Sequence, residues 1–231
     1  MDEWLDELEK ISSFNTAKAK KGLARLLHEA SQNPMLGCQY GERIAALDLL
    51  LFDKKRIPPA SAVFLCSFLL FAGFLVVMGL YSVSLPPLFQ FICLCASFFC
   101  FWFFSHDLAH FVVGSLLGIR FPFFFSGKSN LRFISKRIPF VGGLLRNIPA
   151  LGVKIDYTDF FCISKKRRRA MFASGACASI ILPFFVLAAA WEIETESWVR
   201  ILTSVLVCGN IMFTMVASYF FGDFAKVRRQ Q

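Results

Sequence analysis

Residues 88–119 read LFQFICLCASFFCFWFFSHDLAHFVVGSLLGI, and Asp107 is the one formally charged side chain among them. An apolar run of this length exceeds what a soluble core needs and marks a membrane span. Counted from Leu85 to Ile119, an unbroken helix would extend roughly 52 Å. The hydrocarbon core of a bilayer is about 30 Å thick. The run must therefore protrude or break, and the spacing predicts a span ending soon after His110, with Phe111–Phe125 in or near the interface. The run also holds two of the three histidines, His106 and His110. Four residues apart on a helix, both imidazoles lie on one face, one turn apart, where two side chains can hold one metal ion. Ionisable groups among lipid tails are costly and turn toward a bundle interior.

The remainder of the chain supports a membrane reading. Of 231 residues, 56% are hydrophobic and 29 are Phe, and the mean hydropathy is positive. Three more apolar runs give spans at about 60–83, 170–191 and 199–221, beside the span at 86–118. The expected class is an all-α membrane protein with about four transmembrane helices. Pro86-Pro87 marks one tight return, and the acidic Glu192, Glu194 and Glu196 mark another.

Lysine and arginine set the orientation. Nine lie before Ile57, twelve between Arg120 and Arg169, and three after Phe221, while the two opposite connections hold only Arg200. By the positive-inside rule both termini and the central loop are cytoplasmic, in a multi-pass protein of the cell (inner) membrane. The formal charge of +9 then needs no nucleic-acid partner, because the run Lys165-Lys166-Arg167-Arg168-Arg169 serves as an orientation anchor at the bilayer.

Three regions follow. Residues 1–57 form a cytoplasmic helical segment, with helices over Ala17–Ala30 and Gly41–Phe52 separated by a break at Asn33-Pro34. Its first ten residues, MDEWLDELEK, lack the basic-then-apolar order of a cleaved signal, and none is expected. Residues 58–226 form the membrane core, and 227–231 a basic tail. The central loop carries Phe121-Pro122-Phe123-Phe124-Phe125, Gly142-Gly143 and the strand-like Gly152–Tyr157, a pattern for short membrane-associated β-hairpins. Six of the eight cysteines lie in apolar runs and no CxxC pair occurs. They read as small hydrophobes, with neither a disulfide framework nor a zinc ribbon expected.

Paired histidines at this spacing admit three chemistries. Membrane di-iron desaturases need about eight histidines, and three are present. A purely structural pair, hydrogen-bonding across helices, stays open. The third is a zinc hydrolase. His106–Phe125, HDLAHFVVGSLLGIRFPFFF, resembles the HExxH segment of the site-2 protease family of intramembrane zinc metalloproteases. Arg169–Ala178, RAMFASGACA, is similar to that family's small-residue span. Gly209-Asn210 through Gly222-Asp223 stands where the family has an Asn followed by a ligating aspartate. The resemblance covers roughly residues 60–226.

It implies a site-2-protease-like core in which His106, His110 and Asp223 bind zinc, with Asp156 and Asp159 as alternative third ligands. Water would fill the fourth position and Asp107 would act as the base. Asn210 would orient a substrate backbone, and Gly175, Ala176, Ala178 and Ser179 would let their span pack closely on the metal-bearing one. The implied partner is a transmembrane helix, either a substrate cut at a transmembrane or membrane-proximal peptide bond or a bound protein. The box reads HDxxH, with Asp107 one methylene shorter than the family's Glu, and Gly222-Asp223 reverses the family's Asp-Gly. A catalytically impaired relative that binds partner helices without cleaving them is the alternative function.

Overall fold

The computed structural model describes residues 1–128, 149–220 and 222–229. Gly142-Gly143 and the expected end of the fourth span at Phe221 lie outside them. The chain separates into two compact units, Met1–Pro59 with Gly118–Ser164, and Ala60–Leu117 with Lys165–Gln231.

The first unit is a helical segment joined to a small sheet. Helices α1 (Asp2–Phe14), α2 (Thr16–Gln32) and α3 (Pro34–Leu50) lead to strand β1 (Lys55–Ile57). Helix formation starts earlier than expected at both ends. The acidic opening is itself a helix, burying Leu5 and Leu8 while Asp2, Asp6 and Glu9 converge on the Arg43 guanidinium. Asn33-Pro34 begins α3 as well as ending α2. Asn33 occupies the cap and Pro34 the first turn, where a missing N–H costs nothing.

Strands β2 (Phe123–Lys128) and β3 (Pro149–Lys154) pair antiparallel, with Phe124 opposite Val153 and Phe125 opposite Gly152. β1 adds to the other edge of β2, Arg56 opposite Phe125. The result is a three-stranded sheet in the order β1-β2-β3. A short helix, α7 (Tyr157–Phe160), follows and lies hard against α3. A Cβ on Gly41 would meet the carbonyl oxygens of Tyr157 and Thr158 at 2.9 Å, and one on Gly37 would meet Phe161 at 2.7 Å. This approach joins Cys38 to Cys162, the two cysteines outside the apolar runs, in a disulfide, where no disulfide framework is expected from the sequence, while the six in apolar runs stay free. Behind it Lys154 pairs with Asp48, both side chains 13% exposed. Burial nevertheless keeps the Asp48 carboxyl above its ordinary value, the Lys154 ammonium recovering only part of the cost.

The second unit holds four helices long and apolar enough to cross a membrane. They are α4 (Pro59–Leu80), a helix over Pro87–Leu116, another over Lys165–Glu192, and a fourth over Ser197–Val227. Three are interrupted. The third divides at Pro183 into α8 (Lys165–Ile181) and α9 (Pro183–Glu192), and the fourth at Gly222 into α10 (Ser197–Phe220) and α11 (Asp223–Arg229).

The second consists of α5 (Pro87–Phe99), a π-helical turn over Cys100–Phe104, and α6 (Ser105–Leu116). It runs from Pro87 to Leu116, matching the expected span at 86–118 to within two residues and continuing six residues past His110. The π turn sets the phase of the box. Leu94 and His110, both buried, are sixteen residues apart, so an unbroken α-helix would put them about 160° apart. One residue taken up by a wider turn returns about 100° of that.

Val77, Leu94, Phe98, Val186, Val199 and Val207 pack the interior of this unit. Near the acidic turn, Tyr81 donates to Glu192 at 2.8 Å and Gln90 to the Glu194 carbonyl at 3.1 Å.

Candidate metal centre

Helix α8 approaches α6 through small residues, and Gly175 marks the contact. A Cβ there would lie 2.3 Å from His110 Nε2, so only glycine lets the imidazole occupy its place. The same helix orients both histidines. His110 Nδ1 donates to the Met171 carbonyl at 2.7 Å, and a carbonyl can only accept, so the proton resides on Nδ1. His106 Nδ1 lies 3.0 Å from Ser179 Oγ. That hydroxyl sends its own hydrogen to the Trp102 carbonyl at 3.3 Å, leaving its oxygen to accept from His106.

With both protons on Nδ1, each Nε2 presents a lone pair. The two meet one atom. Asp223 Oδ2 stands 3.1 Å from His106 Nε2 and 3.1 Å from His110 Nε2. Three acceptors aimed at one another repel unless a second proton on an imidazole or a metal ion sits among them. The dimensions suit a metal ion. Tetrahedral zinc with bonds of about 2.0–2.1 Å has ligand-to-ligand edges of about 3.3 Å, close to the two 3.1 Å edges from Asp223 Oδ2, while all three ligand atoms lie within 4.8 Å of one another. Nδ1 bonds of this kind fix the tautomer and orientation of metal-binding histidines. The His106 side chain is 33% exposed against 5% for Asp223, so the site opens on the His106 side.

The other sequence candidates fall as follows. Asp107 is buried on α6, one residue from His106. Asn210, buried on α10, donates from Nδ2 to the Ser179 carbonyl at 3.0 Å and accepts from Thr214 Oγ1 at 3.2 Å. Both ends of its amide are thus engaged between helices, and it braces the residue that orients His106. Asp156 caps α7 by accepting from the Thr158 N–H at 2.9 Å, and Asp159 pairs with Arg120. Neither belongs to the ligand cluster, which consists of His106, His110 and Asp223.

Met171 and Lys226 were invisible to motif reading. Met171 acts through its backbone, and Lys226 is one of the three basic residues after Phe221 that already had an explanation in membrane orientation. No protein-family model, curated protein or solved structure matches this chain. The fold and the site define it as a helical protein with four potential membrane spans and a His-His-Asp cluster able to hold a metal ion. Two imidazoles and one carboxylate form a donor set able to hold a divalent metal ion.

Proposed function

We propose that this protein is a zinc-dependent intramembrane protease, cleaving a transmembrane or membrane-proximal peptide. One observation carries the proposal: two imidazoles with their protons held on Nδ1 converge on a single carboxylate oxygen inside a unit of apolar helices. Zinc, when bound there, supplies a Lewis acid for peptide hydrolysis. The chain's own residues do the rest. Met171 and Ser179 hold the imidazoles in register, and the buried Asp107 takes a proton from the attacking water. The apolar surface of the spans selects a substrate that is itself a membrane helix. The lysine and arginine distribution supports a cytoplasmic location for both termini, whereas the Cys38–Cys162 disulfide favours an oxidising compartment for the segments it joins.

A second reading rests on Asp107 itself. Its carboxylate is withdrawn by about 1 Å relative to a glutamate, and misplacement on that scale can cost about 10²-fold in rate. A protein that binds partner helices without cutting them is the outcome if that loss is complete. The test has two parts. Purified protein should carry one zinc per chain, lost in the His106→Ala/His110→Ala variant; a metal-free wild type overturns the proposal. Cleavage of a single-span model substrate is then compared among wild type, Asp107→Glu and Asp107→Asn. A protease loses cleavage in the Asn variant, whereas absence of cleavage in all three favours the binding protein.

A further inference from the structure

Asp223 has two carboxylate oxygens, and only Oδ2 faces the histidines. Oδ1 accepts from Lys226 Nζ at 3.0 Å. Lys226 is held from a second side as well. Its ammonium lies 5.3 Å over the ring of Phe172, the neighbour of Met171, whose carbonyl fixes His110. The lysine thus ties the turn that carries the aspartate to the helix that orients the histidine.

The tether has work to do because Asp223 does not sit in a continuous helix. α10 ends at Phe220 and α11 starts at Asp223. The Gly222 N–H reaches back five residues to the Ala217 carbonyl at 3.0 Å, and a Cβ on Gly222 would meet Ser218 Cα at 2.8 Å. Backbone geometry at such a break does not select which carboxylate oxygen points inward. Rotation about the Cβ–Cγ bond would bring both oxygens to a metal ion. A bidentate carboxylate would fill the position that a catalytic zinc site keeps open.

We infer that Lys226 is a positioning residue. By occupying Asp223 Oδ1 it confines the carboxylate to one-oxygen ligation and keeps the fourth metal position vacant. The inference builds on the metal reading above and adds a role for a residue outside the ligand set. Its ammonium also compensates the charge of Asp223 on the side away from the imidazoles.

The experiment uses the full chain in detergent, with zinc and then cobalt(II) as probes, for wild type, Lys226→Met and Lys226→Arg. Four-coordinate cobalt(II) absorbs strongly in the visible, and five-coordinate cobalt(II) weakly. Wild type should give the strong band and bind zinc stoichiometrically. Lys226→Met should weaken zinc binding roughly 10- to 100-fold, as outer-shell changes do. It should also lower the cobalt absorbance per bound ion, while Lys226→Arg restores both. The Lys226 side chain is half exposed, so its removal opens no buried cavity. Should Lys226→Met fail to fold, Lys226→Ala, which likewise removes the donor, carries the same two readouts with the same expected losses.

A mere structural support would alter occupancy or thermal midpoint but leave the absorbance per bound cobalt unchanged, and that result overturns the inference. Loss of the strong band in both Met and Arg variants also overturns it. A wild type that takes up neither metal overturns the metal reading instead, and so the two failures are distinguishable.

Discussion

The closest approach in the candidate centre is also its most sensitive point. In Gly175→Ala the new Cβ would lie 2.3 Å from His110 Nε2, 2.6 Å from Cε1 and 2.8 Å from Cδ2, whereas ordinary contact begins at 3.4 Å. The imidazole must therefore withdraw by 1.1 Å at the atom that would bind the metal. It cannot pivot freely, because Nδ1 is anchored at 2.7 Å to Met171 on the same helix as the intruding methyl. Metal–ligand distances tolerate only about 0.2 Å. The variant should lose zinc affinity by about 10²-fold or more, at or beyond the upper end of losses from outer-shell changes.

Folding should not suffer through the backbone, since alanine is favoured over glycine in a helix by about 1 kcal/mol. Gly209→Ala is the control, because a Cβ there meets nothing within 4 Å. Metal content of purified protein and chelator competition read the result, with the thermal midpoint recorded in parallel. A Gly175→Ala protein with stoichiometric zinc and wild-type affinity would refute the convergence of His110 and Asp223 described above.

Other perturbations probe separate parts of the molecule. Ser179→Ala removes the acceptor for His106 Nδ1 and should weaken zinc binding roughly 10- to 100-fold in chelator competition; unchanged affinity would deny the serine its orienting role. Asp48→Ala leaves the Lys154 ammonium buried without its partner and should cost about 3–5 kcal/mol, whereas Asp48→Leu/Lys154→Met should recover most of it. Equal losses in single and double variants would exclude the coupling.

The pH dependence of the same pair has a definite sign. The folded state holds the Asp48 proton more tightly than the unfolded state, whose carboxyl titrates near 3.8. This group therefore adds stability as pH falls from its raised native value toward 3.8, and subtracts it as pH rises again. Asp48→Asn should flatten the thermal midpoint across the window just above pH 3.8. Finally, peptide mapping of protein isolated with its thiols blocked at lysis should recover a linked Cys38–Cys162 peptide, while free thiols at both positions would refute the pairing.

The spans were legible because length and hydropathy act through the bilayer alone, without reference to partners. The apolar runs at 60–83, 86–118, 170–191 and 199–221 each fall on one of the four potential spans, although Pro183 divides the third into two helices. The sheet was half legible. Alternation in Gly152–Tyr157 and the aromatic run after Phe121 marked β3 and β2, but Lys55-Arg56-Ile57 gives no strand signal of its own, and β1 exists only as an addition to the edge of β2. The Cys38–Cys162 bridge joins residues 124 apart, and no local pattern encodes such an encounter.

At the site, the i, i+4 histidines announced themselves, yet their direction did not. Straight α-helical counting from Leu94 turns His110 outward, and the π turn at Cys100–Phe104 turns it back. The CFWFF segment, one cysteine and four aromatics, carries no mark of that turn. The orienting bond from Met171 is a backbone contact, hence silent in side-chain identity.

The parts of this centre divide by what they can serve. Met171, Ser179, Asn210 and Lys226 all act on the position of three ligand atoms, directly or through one intermediate, from α8, α10 and α11. A structural pair of histidines would need one hydrogen bond across a helix contact. Here both Nδ1 atoms are bonded outward and both Nε2 atoms face a shared acceptor, an arrangement costly among apolar helices unless a metal ion or a second imidazole proton completes it. None of these bonds reaches Asp107. Metal retention and hydrolysis are therefore separable in this chain, and substitution at position 107 should leave zinc content unchanged. With equal zinc in wild type, Asp107→Glu and Asp107→Asn, any difference in cleavage among the three measures the carboxylate alone, its reach in the first comparison and its charge in the second.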